Sequence, residues 1–172
     1  GNDPVFVFNA DTFALIAGPI ATGGTLGPIV VNPLNGKLHV QSGGVSKEIN
    51  PNTFAVKSTG LGTVLAGDQH KSKLFAISGN NLQIINAASD KIEYTIPLGY
   101  TPGSQIAVNN ALRHLYLLNP AANKVEIRGI TAIATATDVR GQLIGNFSLG
   151  TGNTPVGVAA DAIRGLVYVV VN

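Results

Sequence analysis

A motif that returns four times along the chain constrains its fold more than any other feature. Ile29-Val30-Val31-Asn32 leads to Lys37-Leu38-His39-Val40, and Leu65-Ala66-Gly67-Asp68 leads to Lys73-Leu74-Phe75-Ala76. Ile106-Ala107-Val108-Asn109 leads to His114-Leu115-Tyr116-Leu117, and Val158-Ala159-Ala160-Asp161 leads to Leu166-Val167-Tyr168-Val169. Each copy is a short apolar run, an Asn or Asp, a turn of about five residues, and an apolar strand with His or an aromatic near its middle. The Asx positions lie 36, 41 and 52 residues apart (32 to 68, 68 to 109, 109 to 161). Those spacings bracket the roughly 40 to 45 residues of a four-stranded propeller blade.

Two more strand-like segments fill each interval. The first ends in Asn9, Asn50 or Asn86, or in the degraded copy at Arg128. The second covers 13–20, 54–59, 92–98 and 142–149. The chain thus opens with the third and fourth strands of one blade and finishes with the first and second. Pairing of those halves would close a ring and leave no open edge there. The expected fold is all-β: a β-propeller of about four four-stranded blades, closed by pairing of the N-terminal and C-terminal strands. Its blades fall at approximately 155–172 with 1–24, then 25–62, 63–100 and 101–154. Little α-helix is expected, with any short helix confined to the stretch after Arg128. The segment 129–140 lengthens the last spacing and is expected to project as a loop or hairpin at the rim.

Pro155-Val156-Gly157-Val158-Ala159, Leu115-Tyr116-Leu117-Leu118-Asn119, Leu166 to Asn172 and Tyr94-Thr95-Ile96-Pro97-Leu98-Gly99 together resemble the YVTN-type β-propeller repeat. The resemblance covers nearly the whole chain and implies a fold, because its motif residues form strands and turns and none is a catalytic group. Two departures stand out. The family's Asp at the end of the third strand is Asn9, Asn50 and Asn86 here, and the family more often has about seven blades than four.

Composition narrows the function classes. With 12% charged residues and a net charge of +2, the chain lacks the basic footprint of a nucleic-acid binder. It has no Cys, which excludes disulfides, thiolate nucleophiles and cysteine zinc sites and mildly favours export to an oxidising space. No apolar run approaches the roughly 20 residues of a membrane span. A start at Gly1 without Met is expected of a processed or truncated form.

The candidate sites are modest. Asn32, Asp68, Asn109 and Asp161 are expected to fix turns through their own backbone rather than form a carboxylate ring. The innermost strands offer Val30, Val31, Ala66, Gly67, Ala107, Val108, Ala159 and Ala160, small apolar residues suited to a narrow axis and without ligand atoms. His39 stands where other repeats have Phe75, Tyr116 and Tyr168 and reads as a packed strand residue. His70 lies in the turn after Asp68 with no third ligand legible, and His114 reads as exposed. The glycine-rich pieces at 18–24 and 150–154 lack the Gly-Lys-Ser/Thr of a P-loop, and no Gly-x-Ser-x-Gly elbow occurs. No catalytic residue, metal ligand or cofactor is assigned.

What remains is a loop face. The polar, uncharged connections suit hydrogen bonding to a protein or a carbohydrate, and Tyr100, Thr101, Asn119, Asn123 and Asn153 are its candidate ligand-binding residues. The expected function is an exported binding or scaffold protein, secreted, periplasmic or at the cell surface, and monomeric or homodimeric. It needs no nucleic acid and no membrane span. The alternatives are a propeller enzyme similar to the lactonases and lyases built on related folds, or a fragment or half of a larger propeller.

Overall fold

The computed structural model describes residues 2–68, 72–130 and 141–172. Within them the chain is all-β and carries no α-helix. A two-stranded sheet comes first, β1 (Pro4–Phe8) with β2 (Leu15–Ala21). Three four-stranded antiparallel sheets follow in chain order. The first contains β3 (Leu26–Val31), β4 (Leu38–Ser42), β5 (Val45–Ile49) and β6 (Val56–Ser58). The second contains β7 (Thr63–Asp68), β8 (Lys73–Ser78), β9 (Asn81–Asn86) and β10 (Lys91–Pro97). The third contains β11 (Ile106–Asn109), β12 (His114–Asn119), β13 (Lys124–Gly129) and β14 (Leu143–Ser148). A second two-stranded sheet, β15 (Pro155–Asp161) with β16 (Leu166–Val171), comes last. The first strands β3, β7, β11 and β15 pack beside one another in that order, which is the arrangement of propeller-like blades.

Local chemistry explains the repeated hairpins. Asn9, Asn50 and Asn86 each accept two backbone N–H groups on Oδ1, from the residues two and three positions on. Each turn then closes on a residue in the left-handed region, Phe13 (φ 59°), Phe54 (φ 57°) or Asp90 (φ 54°). The N–H of that residue donates back to the Asn carbonyl at 2.8–2.9 Å. An Asx side chain substitutes for a backbone turn in this way. Between β4 and β5 the whole loop is Gly43-Gly44, with φ 58° and 79°. A two-residue hairpin whose central residues both have positive φ suits glycine best.

The core lies between sheets, not within one. Along β8, Leu74 and Ala76 pack toward the first four-stranded sheet with Val64, Ile85 and Val30. The intervening Phe75 packs toward the third sheet with Leu115, Leu117 and Ile106. A strand covered on both faces reads as a continuous apolar run, and burying each such Leu or Phe contributes roughly 1.5–3 kcal/mol. The end sheets are covered on one face only. Val5 and Ile20 pack on Val40 and Ile49, while Val158, Val167 and Val169 pack on Ala107, Tyr116, Leu118 and Val125.

Two expectations are corrected. Ring closure is absent: β1 is hydrogen-bonded to β2 and β16 to β15, each in its own two-stranded sheet, so the described residues form an open arc. Sequence order supplied the right strand types for closure, but the inter-sheet packing sets the curvature, and it leaves the two end sheets apart. A short 3-10 turn stands at Pro120–Ala122, outside the stretch after Arg128 to which any short helix is expected to be confined. Asn119 caps it by accepting the Ala122 N–H, and Pro120 occupies the first turn, where its missing N–H costs nothing. Of the segment 129–140 that is expected to project, residues 131–140 lie outside the described residues, as does His70.

Candidate functional site

The Asx positions of the repeat serve mainly as structure. Asn32 accepts the Leu34 N–H, Asn109 the Leu112 N–H, and Asp161 the N–H groups of Ile163 and Arg164. Asp68 differs: its fully buried carboxylate receives a two-pronged contact from Arg113, with Nη1 to Oδ1 at 3.2 Å and Nη2 to Oδ2 at 2.7 Å. That pair ties the second four-stranded sheet to the third.

The five loop-face candidates fall into two groups. Thr101, next to Tyr100 in the chain, turns its hydroxyl to Asn80 and donates to it at 3.0 Å. The others gather around the β12–β13 turn. Asn119 is buried and donates to Glu126 Oε1 at 3.4 Å. Asn123 is left-handed (φ 49°) and accepts from the Thr154 hydroxyl at 3.4 Å. Asn153 donates to the Leu149 carbonyl at 2.7 Å. The Tyr100 hydroxyl is buried beside Glu126 and Arg128 without a hydrogen bond of good geometry. Burial, reinforced by the Glu126 carboxylate, pushes that phenol well above its ordinary range.

Glu126 and Arg128, which sequence reasoning passed over, are the charged centre of this region. They are 4% and 7% exposed, and Arg128 Nη2 lies 2.8 Å from Glu126 Oε2. Burial works to raise the carboxyl, but the hydrogen bonds and charge of Arg128, with the nearby Tyr100 hydroxyl and the Asn119 amide, outweigh it and hold it below its ordinary value.

A second unforeseen cluster joins the first four-stranded sheet to the second. Lys37 Nζ sits 2.6 Å from Asp90 Oδ2 and 3.3 Å from Glu48 Oε1, and Lys57 Nζ 3.2 Å from that same Oε1. His39 lies beneath them and is fully buried, as its reading as a packed residue requires. Burial disfavours its charged form and lowers its pKa. His114 is half-buried and meets the Tyr116 ring edge-on, with centroids 6.2 Å apart.

The third candidate is the pair of outward faces at the ends of the arc. On β16, Leu166, Tyr168 and Val170 alternate with the packed Val167 and Val169 and stand 46–62% exposed. On β1, Phe6 and Phe8 alternate with Val5 and Val7 and are 49% and 59% exposed. Beside them Ile29 and Val31 of β3 are bare on the flank that β1 and β2 leave uncovered. A shallow hollow of about 310 Å³ runs over the β15–β16 face between Gln105, Val156, Tyr168 and Val170.

No family model matches this chain, and no curated protein matches it. Solved structures do. KlAtg21, in its complex with the coiled-coil of AgAtg16, superposes with a TM-score of 0.70 at 12% identity over 96% of this chain and 55% of that one. Apo AztD from Citrobacter koseri superposes with a TM-score of 0.61 at 11% identity over 90% of this chain and 43% of that one. A second structure of Citrobacter koseri AztD gives 0.53 at 12% identity, over 82% and 43%. At such identities the likeness shows the fold alone. The chain spans about half the length of the structures it matches.

Proposed function

We propose that this chain is an exported β-propeller binding or scaffold protein of the YVTN-repeat type that works by protein association. The observation carrying this reading is the pair of end sheets. Each combines an unpaired strand edge with a contiguous row of large exposed apolar residues, Phe6 and Phe8 at one end and Tyr168 and Val170 at the other. Open edges with apolar faces promote association, and aromatic residues are enriched at interface cores.

The two ends are complementary. The notch beside β1 and β3 lacks a first and a second strand, and β15–β16 is such a pair. In this proposal the β15–β16 sheet of a second copy of this chain docks there, and the pairing of N-terminal with C-terminal strands takes place between molecules. The loop face remains open at the exposed Thr101 and Asn153 for a further protein or carbohydrate ligand, whereas Asn119 and the Tyr100 hydroxyl are buried.

The test is the mass in solution across a concentration series, for wild type and for Tyr168→Lys/Val170→Lys. Wild type is expected to exceed the 17.7 kDa of one chain as concentration rises, while the variant stays at that mass with an unchanged melting temperature. A wild type that remains at one chain mass at high concentration, or a variant that associates equally well, overturns the reading.

A further inference from the structure

The repeat departs from itself at three positions that meet in space. The second four-stranded sheet sets Phe75 against Ile84, and the third sets Tyr116 against Ile127. At the corresponding place the first sets His39 against Glu48. Likewise the turns after β1 and β5 close on Phe13 and Phe54, whereas the turn after β9 closes on Asp90. His39, Glu48 and Asp90 each offer one ligand atom, all within 4.8 Å of one another.

Clustering alone would mean little, but the unused atoms are buried. His39 is 0% exposed, and neither ring nitrogen has a hydrogen-bond partner. The Glu48 side chain is 6% exposed, and its Oε2 has no partner either. Buried polar atoms left unpaired are rare, and an ion or water commonly explains them. The two lysines do not fill the gap. They occupy Glu48 Oε1 and Asp90 Oδ2, leaving Glu48 Oε2 free and Asp90 Oδ1 3.7 Å from His39 Nε2. That Asp90 oxygen receives one long bond, from Asn32 Nδ2 at 3.4 Å.

We propose that His39, Glu48 and Asp90 bind a divalent transition-metal ion of the Zn²⁺ type between the first and second four-stranded sheets. One imidazole nitrogen and two carboxylate oxygens form a mixed donor set that suits Zn²⁺. The hard cations Ca²⁺ and Mg²⁺ take oxygen ligands instead. A cleft of about 360 Å³ lined by Lys37, Glu48, Lys57, Ser89 and Asp90 opens beside the cluster and gives an ion an entry path and a water for its fourth position. Bound there, the ion clips the β4–β5 hairpin to the β9–β10 turn. The Lys37 ammonium contacts both carboxylates and opposes the ion's charge.

The experiment is calorimetric titration of chelator-treated protein with Zn²⁺ alone, together with the visible absorption spectrum of the Co²⁺ form. One ion per chain is expected, with the intense visible bands of a low-coordinate cobalt site. His39→Phe/Glu48→Ile writes the Phe75/Ile84 pair of the second sheet into the first and is expected to weaken binding at least tenfold. Asp90→Asn keeps a residue tolerant of the left-handed conformation and is expected to do the same, should the double variant fail to fold. Lys37→Met is expected to bind more tightly than wild type. Absence of Zn²⁺ uptake at micromolar concentration, a Co²⁺ spectrum matching the free aqua ion, or equal binding by Asp90→Asn overturns the site and leaves the cavity to water.

Discussion

Glu126 keeps its charge in a nearly closed environment because Arg128, Tyr100 and Asn119 converge on it. Its folded-state pKa lies below its ordinary 4.5, so the folded state binds its proton less readily than the unfolded chain. The stabilisation is complete above about pH 4.5 and is lost as pH falls through the lowered value. Glu126→Gln is therefore expected to flatten the acid limb of a stability-versus-pH curve relative to wild type, measured by denaturant melts between neutral pH and pH 3. Arg128 is the other half. Arg128→Met strands the buried carboxylate and is expected to cost about 3–5 kcal/mol at neutral pH, far more than loss of an exposed pair such as Arg164 with Asp161. Equal destabilisation by Arg128→Met and Arg164→Met in parallel melts would contradict this account.

At the scale of the element, the hairpin from the third to the fourth strand is the most regular device in the molecule. Asn50 satisfies the N–H groups of Asn52 and Thr53 while Phe54 turns left-handed. Asn50→Ala frees both donors and removes the local brace, and a loss of about 1–2 kcal/mol in a thermal or chemical melt is expected, similar to losing a helix N-cap. Asn50→Asp keeps the acceptor and is expected to stay close to wild type. Gly62 marks a different constraint, because a Cβ there would collide with the Ile77 carbonyl. Gly62→Ala is expected to lower the melting temperature by disturbing the start of β7.

Taken as a whole, the molecule is an arc whose interior sheets are covered twice and whose end sheets are covered once. Removing 167–172 deletes the strand that carries Val167 and Val169 over Tyr116, Leu118 and Val125. It is expected to destabilise the fold by several kcal/mol, on the order of two buried aliphatic side chains, and to lower the denaturant midpoint accordingly. The loss does not depend on the N-terminal strands, since β16 pairs with β15. An unchanged midpoint would mean that the last sheet does not brace the third four-stranded sheet. On the proposed reading the bare faces at both ends are expected to make association depend on concentration, which the lysine variants at Tyr168 and Val170 are designed to test.

Strand content, the four-stranded unit and its Asx turns were legible in the sequence by itself, because each depends on a short stretch of chain. Period-two alternation, an Asn two and three residues before free N–H groups, and Gly43-Gly44 act locally and need no distant partner. The buried charges were not legible. Glu126 and Arg128 lie two residues apart on one strand and look like an ordinary solvent face, and only the folded chain brings Tyr100 and the Gly141 carbonyl over them. His39 was visible as a departure from Phe75 and Tyr116, but Asp90 lies 51 residues away along the chain (39 to 90), and only sheet-on-sheet packing brings the two within reach. Ring closure was decided the same way. The sequence determined which strands stand at the two ends, and the tertiary structure decided that each end pair is hydrogen-bonded only within itself, because how neighbouring sheets sit on one another depends on contacts between residues far apart in the chain.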